Sequence, residues 1–273
     1  MSLLKPDFVA EEERMTAEYE KKHPDLQGTV PFEKRSVHYV TAGTKGHPKI
    51  IFVHGSPGDW GAFVRQLNDP TFYAGAYLIS GDRLGYGGSD PGHTERSLDE
   101  QAKAMMTLLD VDDPHQPVIL VGHSYGGPVV ARMAMTGDPR IRAVLILAGS
   151  VDPSLEPYSW YQTPADWVVF RWMLPTILVT CNQEIIALKP ELVRVTPLWS
   201  HITAKFTVIQ GLKDDMVAPG NADFIEKKLA RLKPKIIRVE NLNHFIPSDR
   251  PDLIREALAD DLKELGVKQV SSN

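Results

Sequence analysis

The stretch Gly122-His123-Ser124-Tyr125-Gly126 sets a serine in G-x-S-x-G spacing, the form of a nucleophile elbow. The apolar run 117–121 before it reads as a buried strand, and 127–134 after it reads as a helix. On so sharp a turn the hydroxyl stands clear of the backbone. It also lies at the positive end of the new helix, where anionic charge is favoured. Side chains in place of the flanking glycines would collide, and Pro128 suits a first helical turn that needs no donor there. A serine hydroxyl is a weak nucleophile without a base in hydrogen-bond reach. Two other stretches offer the partners: His244 in Asn241-Leu242-Asn243-His244-Phe245, and Asp214 in Gly211-Leu212-Lys213-Asp214, each directly after a strand-like run. A fourth, His54-Gly55-Ser56-Pro57-Gly58, follows the apolar run 50–53.

The elements that must carry these residues alternate. Strands are expected over 36–40, 49–54, 76–80, 117–122, 143–148, 205–210 and 235–240. Helices are expected after Asp59 and over 98–110, 125–135, 221–232 and 251–265. The first strand reads as an antiparallel edge with His38 at its surface. The rest predict a parallel sheet covered on both faces. Residues 9–22 are dense in Glu and Lys and read as a solvated helix or loose arm. Between Gly149 and Ala204 no strand is apparent, the apolar spacing is helical, and four of the five tryptophans fall there.

With Ser, Asp and His each after a strand and in that chain order, residues 34–265 resemble the α/β-hydrolase superfamily. Asp82-Arg83-Leu84-Gly85-Tyr86-Gly87-Gly88-Ser89 recurs there too and reads as structural, with Asp82 and Arg83 tying the loop. The resemblance implies an α/β-hydrolase core over 34–149 and 205–273, a small helical cap inserted over 150–204, and an N-terminal arm over 1–33. It implies Ser124 as nucleophile, His244 as base and Asp214 as the acid that orients it. Gly211, Asp214 and Val217 match the family register, which favours Asp214 over its neighbour Asp215. Asp152, after the strand 143–148, is the alternative acid, since some relatives draw it from there. The oxyanion donors are implied at the main-chain N–H groups of Ser56 and Tyr125. His54 is expected to hold its loop rather than act as a base. Trp60, Trp160, Trp167 and Phe245 are candidates for an apolar substrate pocket.

Composition narrows the partners. The formal net charge of -5 argues against nucleic acid or an anionic membrane as the main partner. One cysteine, Cys181, excludes an intramolecular disulfide and a cysteine-rich metal site, and reads as a packing residue. Gly85-x-Gly87-Gly88 lacks the lysine of a P-loop and the spacing of a dinucleotide fingerprint, so no cofactor is expected, and no cluster has metal-ligand spacing. No apolar run approaches a membrane span and residues 1–7 lack the apolar core of a signal peptide, so the chain as given reads as cytoplasmic, with a leader or anchor removed upstream left open.

The expectation is a serine hydrolase acting on a small-molecule carboxylic ester or related acyl substrate through an acyl-enzyme, with the oligomeric state left open. Amide or aminopeptidase, thioester, carbon–carbon and perhydrolase chemistry use the same triad and stay open, as does a non-catalytic binding scaffold. Proline iminopeptidases often carry His-Gly-Gly-Pro-Gly where this chain has Ser56. Epoxide hydrolases and haloalkane dehalogenases of this fold use an aspartate at the elbow, which counts against both activities here.

Overall fold

A computed structural model describes residues 6–156 and 175–266. Eight strands form one sheet in the order β1-β2-β4-β3-β5-β6-β7-β8: β1 Gln27–Phe32, β2 Arg35–Gly43, β3 Lys49–Val53, β4 Tyr77–Gly81, β5 Val118–His123, β6 Ile141–Leu147, β7 Lys205–Gly211 and β8 Lys235–Val239. β1 and β2 pair antiparallel, as do β2 and β4, and every other pairing is parallel. Among the described residues the α-helices are α1 Pro6–Lys22, α2 Val64–Asn68, α3 Leu98–Met106, α4 Gly126–Ala134, α5 Thr176–Val195, α6 Asn221–Lys228, α7 Ile246–Asp249 and α8 Pro251–Glu264.

The central strands are apolar throughout because both faces are covered. Alternate side chains separate two cores. Ile51, Leu120, Val144 and Ile146 face α3, α4, α5 and α6. Ile50, Phe52, Ile119, Val121 and Leu145 face α1, α2 and α8. Each fully buried aliphatic or aromatic side chain contributes about 1.5–3 kcal/mol.

Four expectations are corrected. The strand at 36–40 is not the edge, because β1 pairs outside it from Gln27↔Val40 to Phe32↔Arg35. Gly28 and Pro31 hide β1 from a strand pattern, and an edge tolerates the proline, whose missing N–H costs no ladder bond there. The boundary of the arm at residue 33 is therefore too late. Nor does α1 stand off in solvent: Tyr19 is buried, its hydroxyl donates to Thr41 O at 2.6 Å, and its ring lies 5.9 Å from Trp60. His38 is also more than a surface residue, since its Nδ1 meets the buried Asp82 carboxylate at 2.8 Å.

Candidate active site

The residues singled out by motif gather at the carboxyl ends of the parallel strands, where the ends of an open α/β sheet leave a crevice for ligands. Ser124 follows β5 directly, with φ at +53°. Its N–H donates to Leu147 O at 3.0 Å, and its carbonyl accepts from Gly127 N at 2.9 Å. These bonds hold the elbow between β6 and α4. Both flanking glycines are required sterically. A Cβ on Gly122 would lie 2.4 Å from Gly126 O, and one on Gly126 would lie 2.1 Å from Val53 O.

Asp214 and His244 form a buried pair. His244 Nδ1 donates to Asp214 Oδ2 at 2.8 Å, which leaves Nε2 as the proton acceptor. Asp214 Oδ1 accepts from the N–H groups of Met216 and Val217 at 2.9 and 2.8 Å. Burial works to raise the Asp214 carboxyl, but the His244 hydrogen bond and charge and the two main-chain donors outweigh it and hold the group below its ordinary value. The loop bearing His244 is tied to the elbow by the residue before Ser124. His123 Nε2 donates to His244 O at 2.9 Å, and the two rings lie 4.8 Å apart. Burial and the neighbouring His244 push His123 down to about 3, so it stays neutral and keeps its single N–H for that bond.

Beneath the loop 54–58 lies a charged network. Arg83 and Glu184 are both fully buried and meet through Nη1–Oε1 at 2.6 Å and Nη2–Oε2 at 3.1 Å. Arg83 also donates from Nε to His54 O at 3.0 Å and from Nη2 to Gly55 O at 2.9 Å. Burial opposes the charge on Arg83, and the Glu184 carboxylate more than offsets it, so the guanidinium is held charged above its usual range. His54 donates from Nδ1 to Gly55 O and accepts the Arg83 main-chain N–H at Nε2. Burial and the nearby Arg83 keep its ring far below the ordinary histidine value, so it is neutral and holds the loop. Asp82 accepts from Trp60 N, Gly88 N and the His38 ring, which anchors the neighbouring turn.

The other candidates fall elsewhere. Asp152 Oδ1 accepts from Ser154 N and Oγ in a turn, and the His244 ring pairs with Asp214 instead. Asp215 is exposed. Trp60 is a core residue under α1, with 4% of its surface exposed, which corrects its place among pocket residues. Phe245 is half-buried, edge-on to the His244 ring at 5.7 Å. Trp160 and Trp167 lie outside the described residues. Glu184 was missed, because a single acidic residue inside a helix carries no motif.

A family model described as the alpha/beta hydrolase family matches residues 50–257. The chain is 30% identical over 112 residues to epoxide hydrolase 4 of Mus musculus, covering 40% of this chain and 30% of that protein. It spans between 21% and 30% of the length of the first curated relatives it matches. Among solved structures, a bacterial membrane phospholipase A superposes with a TM-score of 0.70 at 16% identity, over 94% of this chain and 93% of that one. A Bacillus subtilis carboxylesterase superposes with a TM-score of 0.63 at 14% identity, over 93% of this chain and 99% of that one. At such identities these likenesses speak for the fold, which agrees with the sheet order described above. The match over 50–257 spans most of the sheet and every strand end that carries the candidate site, and the chain belongs to the alpha/beta hydrolase family.

Proposed function

We propose that the protein is a serine hydrolase that cleaves a carboxylic ester of a small or apolar acyl group. The observation that carries this reading is the buried Asp214–His244 pair, tied by His123 to the elbow that holds Ser124. Ser124 Oγ attacks the ester carbonyl as His244 Nε2 takes its proton, and the tetrahedral oxygen is met by the N–H groups of Ser56 and Tyr125. His244 then returns the proton to the leaving alcohol. A water deprotonated by His244 attacks the acyl-serine and releases the acid. Asp214 keeps the imidazole in the required tautomer and stabilises its cation. The cap expected over 150–204 belongs to this reading, with its residues 157–174 outside the described ones, and Phe245 borders the pocket beside His244. The chemistry needs no cofactor.

The matches to epoxide hydrolases make epoxide opening the competing reading. Attack by a serine on an epoxide carbon would form an ether, which offers water no carbonyl and would leave the enzyme trapped. Attack on an ester forms an acyl-serine that water can cleave. The residue at the elbow therefore favours acyl transfer.

The test is hydrolysis of p-nitrophenyl esters from acetate to decanoate by the wild type and by Ser124→Ala. The wild type is expected to turn over, with the variant lower by roughly 10⁴-fold or more in kcat. The chain-length optimum reports the depth of the acyl pocket. A wild type silent on every ester and unlabelled by a fluorophosphonate would sink the reading.

A further inference from the structure

The peptide joining Gly55 to Ser56 carries the carbonyl of one residue and the N–H of the next, which point to opposite sides of a planar unit. Its carbonyl is fixed by Arg83 Nη2 at 2.9 Å and by His54 Nδ1 at 2.8 Å. The Ser56 N–H is thereby turned the other way. Ser124 is close to this stretch: a Cβ on Gly55 would lie 2.9 Å from Ser124 Cβ and 3.5 Å from its Oγ.

Arg83 is itself held by Glu184 of α5, a helix outside the sheet. Glu184 Oε2 also accepts the hydroxyl of Ser56 at 2.9 Å and that of Tyr86 at 2.8 Å, and Oε1 accepts Gln101 Nε2 at 3.0 Å. The carboxylate thus reaches the oxyanion loop twice, through the guanidinium and through the side chain of Ser56. A buried guanidinium stripped of its counter-charge must shift or draw in water, and the Gly55 carbonyl it holds would be released with it.

We propose that Glu184 is a positioning residue for acyl transfer: from α5 it clamps Arg83 and the Ser56 hydroxyl, and so aims the Ser56 N–H at the tetrahedral oxygen. The inference rests on the serine-hydrolase reading above. It makes the oxyanion donor depend on how α5 sits against the loop, across 128 residues of sequence. The effect falls on the transition state, where negative charge has formed on oxygen, and spares ground-state binding.

Glu184→Gln keeps the side-chain volume and removes the counter-charge. Labelling with a fluorophosphonate to completion counts the folded sites with a live Ser124, and rates on p-nitrophenyl butyrate are expressed per labelled site. The expected result is a kcat per site lower by about 30–300-fold with KM within about twofold. An aryl trifluoromethyl ketone, whose serine adduct carries the oxyanion, should lose affinity by a similar factor. A purely structural role would lower the number of labelled sites and leave kcat per site unchanged, which overturns the proposal. Ser56→Ala keeps the N–H and cuts only the hydroxyl link, and should lower kcat about threefold to tenfold at constant KM. If Glu184→Gln yields no folded protein, a wild-type kcat in Ser56→Ala overturns the proposal and the expected loss supports it. A wild type that neither labels nor hydrolyses esters fails the serine-hydrolase reading, whereas an active wild type matched per site by Glu184→Gln fails this inference alone.

Discussion

At the scale of single residues, the proposed acyl transfer turns on which nitrogen of His244 carries the proton. Asp214 accepts from Nδ1 at 2.8 Å, and an amide in its place could donate to Nδ1 and reverse the tautomer. Asp214→Asn should therefore lower kcat by about 10²–10⁴-fold with little change in KM, read by steady-state ester hydrolysis. The same carboxyl carries a pH signature. Its folded value lies below the ordinary 3.8, so its contribution to stability is complete above that value and is lost as pH falls through the depressed one. In urea titrations the stability difference between wild type and Asp214→Asn should stay constant from pH 7 to pH 5 and shrink below about pH 4. Ser124, Asp214 and His244 were legible because turn chemistry after a strand leaves marks in sequence. Glu184 was not, because its meaning comes from Arg83, 101 residues away.

At the scale of elements, α1 shows how a charged helix can still dock. Tyr19 sinks into the core, while Glu12 lies near Asp59 at the start of the turn that follows β3. Burial first, and then the charge of Asp59, raise Glu12 to about 7. A carboxyl with a raised folded value stabilises most below its unfolded value of 4.5 and loses that contribution as pH rises through about 7. Glu12→Gln should be more stable than wild type at pH 8, on the order of 1 kcal/mol once solvent screening is allowed for, and equal to it near pH 4. Thermal melts across that range decide it. The dense Glu and Lys of this segment concealed Tyr19, since one buried aromatic leaves no period to detect. The strand–helix alternation from β3 onward was legible for the opposite reason: long apolar runs repeat, and those of β3 to β7 end in a Gly or Pro turn.

At the scale of the whole molecule, the sheet divides the apolar interior into two cores that meet only through the backbone of the strands. Ile50 and Ile146 lie in opposite cores, on strands separated by β5. Ile50→Val and Ile146→Val should each cost about 0.5–1.5 kcal/mol, and the double variant should equal their sum within about 0.5 kcal/mol, measured by urea unfolding. The hydrophobic pattern specified a covered parallel sheet, but not the order in which β4 lies outside β3, because strand order is a matter of crossovers rather than of local period. Nor could it reveal that the edge of the sheet begins at Gln27, since a solvated strand of six residues containing Gly and Pro differs little from a loop.

The left-handed backbone at Ser124 sets foldability against chemistry at a single position. A side chain there is held in a conformation that glycine adopts without penalty. Ser124→Gly should accordingly melt higher than Ser124→Ala while being just as inert. Relieving the strain means giving up the Cβ together with the hydroxyl, so this position cannot gain that stability and keep the group the proposed chemistry needs.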